Sequence, residues 1–102
     1  MLYVIASITL RPGCQERYLE ELSSLAPEVR AEAGCLEYGG AVDTASGLKL
    51  QIPLRPDVVT IIERWSNLEA LKAHSVAAHM QAFRARTVDF VVGTTLQVLR
   101  PV

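Results

Sequence analysis

The sequence predicts an α+β fold: a four-stranded antiparallel sheet with helices on one face, in the order β-α-β-β-α-β. Three observations carry this. Leu2–Leu10 alternates with period two, setting Leu2, Val4, Ala6, Ile8 and Leu10 against Tyr3, Ile5, Ser7 and Thr9. Val58–Ile62 is a short apolar and β-branched run that suits a strand covered on both faces. Between them, Tyr18, Leu22, Leu25 and Val29 recur at spacings of four, three and four, the stripe of an amphipathic helix.

The first strand stops at Arg11-Pro12-Gly13, and the helix then runs to about Ala33. Glu16, Glu20, Glu21, Glu28, Arg30 and Glu32 cover its outer side. Pro27 removes one amide, so a kink is expected there rather than an end, because the stripe continues through Val29. Gly34 supplies the C-cap. Cys35–Val42 is the second strand, with Leu36, Tyr38, Gly40 and Val42 on one face; Gly39-Gly40 signals a bulge or a close approach. After a turn over Asp43–Gly47, Leu48–Ile52 alternates as a short strand, and Pro53 and Pro56 confine it to an edge or an opening. Its apolar side, Leu48, Leu50, Ile52 and Leu54, is expected to pack over the sheet edge or a partner subunit.

Val58–Trp65 is the third strand, and Glu63 and Trp65 share one of its faces. Ser66 and Glu69 form a Ser-x-x-Glu capping box that opens a short helix to Ser75. A longer helix over Val76–Val92 has Val76, Met80, Phe83, Thr87 and Phe90 inward. Gly93 ends it, and Thr94–Leu99 is the fourth strand. This order is the split βαβ arrangement of ferredoxin-like folds.

The totals restrict function. A chain of 102 residues, half hydrophobic and 21% charged, is one globular domain over 1–102. A formal net charge of −1 with scattered Lys and Arg gives no warrant for nucleic-acid binding. No apolar run approaches the roughly 18 residues of a membrane span, and the N-terminus lacks the marks of a signal peptide, so a cytoplasmic protein is expected. Cys14 and Cys35 have neither metal-type nor redox-type spacing and read as small, partly buried side chains. So apolar a small chain is expected to bury surface against a second copy.

Several marks fall in a family's order: Arg11-Pro12-Gly13, the Arg30–Tyr38 junction RAEAGCLEY, Glu63-Arg64-Trp65, Ala70-Leu71, His74, His79 and Phe83. Over nearly its whole length the chain resembles the antibiotic biosynthesis monooxygenase family of dimeric α+β barrel proteins. The resemblance implies a homodimer whose two sheets pack face to face. It also implies oxidation of a small aromatic quinol or anthrone by oxygen, without metal, flavin or haem. An isomerase of a small metabolite and a non-catalytic binding dimer are the alternatives within the resemblance. Its haem-degrading branch uses an asparagine on the first strand, where this chain has Ala6 and Ser7.

Oxygenation without a cofactor requires a base, donors for the developing oxyanion and a dry cavity. His74 and His79 are the candidate bases, since imidazole titrates near neutrality. Trp65 and Tyr38 complete the candidate catalytic set; Met80, Phe83 and Glu63 are candidate pocket residues. Five residues apart, the histidines share no face of one helix and converge only if the chain bends near Ser75-Val76. Two histidines without a third ligand make a weak metal site, and no metal or other cofactor is expected. A buried Glu63 is expected to be compensated by an arginine. Arg84 and Arg86 are expected to be solvated, either being able to meet an anionic substrate group.

Overall fold

In the computed structural model, which describes residues 1–102, four antiparallel strands form one sheet in the order β2-β3-β1-β4. The elements are β1 (Leu2–Leu10), α1 (Gln15–Arg30), β2 (Cys35–Ala41), β3 (Val58–Trp65), α2 (Leu68–Ser75), α3 (Ala78–Thr87) and β4 (Val91–Leu99). The fold is ferredoxin-like, as expected.

β1 is central, and its alternation decides the core. Val4, Ala6, Ile8 and Leu10 are buried, and Val4, Ala6 and Ile8 pair with Glu63, Ile61 and Val59 of β3 on the same face. The stripe Tyr18, Leu22, Leu25, Ala26 and Val29 of α1 packs on that face. Pro27 lies within α1, which continues to Arg30 before capping at Ala31. The hydrogen bond it cannot make belongs to the carbonyl of Ser23, a residue on the exposed side of the helix.

The helix thus ends short of Ala33, and a turn over residues 31–34 follows. Gly34, three residues beyond the cap, takes φ +82°, and its carbonyl accepts from the Ser66 amide at 2.8 Å. A Cβ there would lie 2.5 Å from Ala70 Cβ and 2.7 Å from Ser66 Oγ. Gly34→Ala is therefore expected to lower stability by about 2 kcal/mol or more, from the left-handed backbone and the collision together. An unchanged urea midpoint would contradict this.

The bulge in β2 falls between Cys35 and Glu37, earlier than the Gly39-Gly40 site, and it turns Leu36 out to solvent. Val42, beyond the strand's end, is exposed as well. Gly40 marks the close approach instead: a Cβ there would lie 2.6 Å from Leu22 Cδ2 on α1. Leu48–Ile52 is not a strand. A turn at Lys49-Leu50 interrupts the alternation, and the segment pairs with neither edge strand, β2 or β4. Leu50 is 97% exposed, with Leu48, Ile52 and Leu54 more than half exposed, so this apolar side is not buried by its own chain. Its neck is closed by Arg55, whose backbone N–H and guanidinium donate to the Asp43 carboxylate at 2.8–2.9 Å.

The cap of α2 is Asn67, not Ser66: Asn67 Oδ1 accepts from the Ala70 amide at 2.8 Å. Ser66 is held one residue earlier by the Gly34 carbonyl. The last helix is shorter than expected, and Gly93 sits inside β4 opposite Thr9. β1 offers nine residues for pairing, so Val91 and Val92 are drawn into the sheet. Val76 is exposed in the turn between α2 and α3, while Met80, Phe83 and Thr87 face inward and Phe90 is half-buried.

No helix covers β4. Leu96 and Val98 share a face with their partners Ala6 and Val4, yet they are 57% and 41% exposed.

Candidate active site

A cavity of about 540 Å³ lies between the core face of the sheet and the α2–α3 layer. Ala6, Ile8 and Ile61 line its sheet side, and Met80, Phe83 and Thr87 line its helix side. Tyr38, Glu63 and His74 supply its buried polar wall. Lys72, Ser75 and Arg84 stand where it meets solvent. This is the usual composition of a small-molecule site, apolar walls with a few convergent polar groups.

The polar wall comes from β2, β3 and α2, backed by α3 and the turn after α1. His74 closes the last turn of α2, and His79 opens α3. Val76 and extended Ala77 break the helix between them, which is the bend the histidine spacing demanded. Both rings then meet one atom: Glu32 Oε2 lies 2.9 Å from His74 Nδ1 and 2.7 Å from His79 Nε2. Glu32 comes from the turn that Gly34 pins against α2. The sequence reading placed it on the outer side of α1, and the early helix end is what swings it inward. The available signal was that two partly buried histidines require an acceptor, and Glu32 stands two residues before a helix-ending glycine.

Glu63 has no arginine partner. Its Oε1 accepts from Trp65 Nε1 at 2.8 Å and stands 3.9 Å from His74 Nε2. Burial raises the Glu63 pKa; the indole bond and His74 oppose that rise, and Glu32 adds to it. Arg64, on the opposite face, pairs with Glu37 at 3.0 Å. Trp65 is fully buried behind the cavity wall, with its ring centroid 4.7 Å from that of His74. Neither Trp65 nor His79 lines the cavity; Trp65 holds Glu63, which does, and His79 reaches the lining only through Glu32, which holds His74.

Tyr38 is 5.7 Å from His74, ring to ring, and its carbonyl accepts from Arg30 Nε at 2.9 Å. Its hydroxyl makes no intramolecular hydrogen bond, yet no buried side-chain polar atom lacks a partner, so it opens into the cavity. Burial, chiefly, pushes its pKa up, which keeps it a proton-bearing donor. Arg86 pairs with Glu21 at 2.7 Å, and Arg84 donates to the Ser75 carbonyl, tying α3 to the end of α2. Cys14 and Cys35 are half-buried free thiols.

An ionised Glu32 can only accept, so the bond to His74 fixes the proton on Nδ1. Nε2 is left with a lone pair, beside Glu63 at the cavity wall. A carboxylate orienting an imidazole that lines a cavity is an arrangement that suits a general base.

Fold and site together describe a small α+β domain of the kind that encloses an organic ligand beside an acid–base cluster. The chain belongs to the antibiotic biosynthesis monooxygenase family, which residues 1–86 match. It is 35% identical over 103 residues to the Escherichia coli (strain K12) protein named Probable quinol monooxygenase YgiN, covering 99% of this chain and 98% of that one. The crystal structure of PA3566 from Pseudomonas aeruginosa superposes with a TM-score of 0.81 at 29% identity, over 99% of this chain and 93% of that chain. Rv0793 from Mycobacterium tuberculosis shares the fold, with a TM-score of 0.80 at 22% identity over 99% and 94%.

Proposed function

We propose that this protein oxidises a small quinol-type aromatic with molecular oxygen, using no bound metal, flavin or haem, with His74 as the base. The observation that carries the reading is His74 itself, a ring lining an apolar cavity with its Nδ1 on Glu32 and its Nε2 3.9 Å from Glu63 Oε1. Nε2 takes a phenolic proton from the quinol, and the resulting anion is electron-rich enough to reduce oxygen itself. A C–O bond then forms at a ring carbon, the O–O bond breaks, and one oxygen leaves as water. A quinol plus O₂ gives a hydroxyquinone plus H₂O, so the substrate supplies all four electrons. The Tyr38 hydroxyl is placed to donate to the developing oxyanion, and burial favours a protonated Glu63 that can do the same. Met80 and Phe83 offer a flat substrate an apolar wall.

The experiment is oxygen uptake by chelator-treated protein with a panel of naphthoquinols and anthrones. One oxygen atom should enter the product, at a rate well above spontaneous oxidation. No member of the panel being consumed faster than without protein would refute the reading.

We propose further that the working unit is a homodimer. The support is the strip Leu96–Val98 on uncovered β4, together with the open side chains Leu48, Leu50, Ile52 and Leu54. Light scattering at micromolar concentration should give twice the 11.2 kDa chain mass. A species that stays at one chain mass on concentration would overturn this.

A further inference from the structure

We infer that Glu32, His74 and His79 form a binding site for one divalent ion of the zinc class. A ligand atom from each lies within 4.8 Å of the other two, and the three come from separate elements: the turn after α1, the end of α2 and the start of α3. The fold therefore brings them together, not local sequence. The donor set, two imidazole nitrogens and a carboxylate oxygen, suits borderline ions, and it leaves positions free for water.

Charge provides a separate argument. The Glu32 side chain is 14% exposed, and its only ion-pair partners are the two imidazoles; no lysine or arginine reaches it. A carboxylate so placed needs a positive charge beside it. That charge is either a proton on one histidine or a cation held between the rings. Ligand atoms on a tetrahedral zinc ion stand about 3.4 Å apart. The present N···O distances of 2.9 and 2.7 Å require the rings to withdraw from Glu32 by about 0.5 and 0.7 Å. His79, a quarter exposed, has room to move.

The site has a consequence that rests on the proposed oxidation. An ion on His74 Nδ1 leaves the single proton of the neutral ring on Nε2, the atom that acts as base in that oxidation. Ion and base then exclude one another, and zinc acts as a reversible inhibitor.

The test is titration of the chelator-treated full chain with Co(II), followed by competition with Zn(II). One ion should bind per chain, with the visible spectrum of a nitrogen- and oxygen-ligated cobalt. Zn(II) should also raise the melting temperature of the unaltered protein in proportion to the logarithm of its concentration. Glu32→Gln and His79→Gln should each weaken binding by more than about 100-fold, since loss of an outer-shell partner alone costs about 10–100-fold. Two results overturn the site: no melting shift with the unaltered protein, or unchanged affinity in a folded variant of either residue. Ion binding without any quinol turnover would leave the site standing and remove the oxidation; turnover without ion binding would do the reverse.

Discussion

His74→Ala should lower the turnover of a quinol substrate by about 10²–10⁴-fold, the range for removal of a positioned general base. The loss should fall on kcat rather than KM, because the apolar walls that hold the ring are untouched. Added imidazole should restore part of the rate by entering the space left behind. His79→Ala should cost less: His79 does not line the cavity and acts through Glu32, on which the orientation of His74 depends. The two variants thereby separate a base from a positioning residue. Circular dichroism is the companion measurement, since His74 is buried and its removal takes a hydrogen bond from Glu32. Equal and full activity in both folded variants would take histidine out of the chemistry and leave Tyr38 with solvent.

The largest effect on stability is expected from Trp65→Ala, at about 3–5 kcal/mol. Trp65 is the largest fully buried side chain and stands at the end of β3, packed at a 38° tilt against the His74 ring and bonded to Glu63. Its truncation opens a cavity in the core and strips a buried carboxyl of its donor at once. For a domain whose whole stability is about 5–15 kcal/mol, that loss brings unfolding close to room temperature. Trp65→Phe refills most of the volume while still removing the indole N–H. It should cost about 1–3 kcal/mol, the range for leaving a buried polar group unsatisfied. Urea unfolding of the pair separates packing from hydrogen bonding, and nearly equal midpoints would show that the Glu63 bond carries the whole effect.

The bounds of β1 and β3 were legible to the residue, β1 from its alternation and β3 from its apolar run. But β3 is not covered on both faces of this chain: Val59, Ile61, Glu63 and Trp65 are buried while Ile62 is 38% exposed, because the helices lie on one side of the sheet only. The end of α3 was not legible. Phe90-Val91-Val92 suits a helix as well as a strand, and only pairing with the far end of β1 assigns Val91 and Val92 to β4. Leu48–Ile52 failed for the opposite reason: its alternation is genuine, but a strand must pair, and the sequence does not say that this segment turns at Lys49-Leu50 and leaves the free edges of β2 and β4 unpaired. Similar limits applied to the site. His74, Tyr38, Met80, Phe83 and Glu63 were picked out and do line the cavity, whereas Trp65 and His79 support it from behind. Glu32 was missed because a helix was drawn one turn too long, which turned a buried acceptor into a surface charge. Glu63 lacked its expected arginine because a tryptophan and a histidine, both close in space, already meet it.

The Asp43–Arg55 neck makes residues 44–54 a loop tethered at a single point. The guanidinium holds the Asp43 carboxyl down to about 2, so the tether survives acidification that would release most surface pairs. Cleavage inside such a loop leaves both new ends attached and the sheet intact. Lys49, next to 97%-exposed Leu50, is a tryptic target, whereas the bond after Arg55 is shielded by Pro56. Limited digestion should therefore nick the chain once at Lys49 before anything else is cut. The rate of that nick becomes a footprint of assembly: if a second subunit covers the loop, it should slow as protein concentration rises, and a rate independent of concentration would mean the loop stays open in solution.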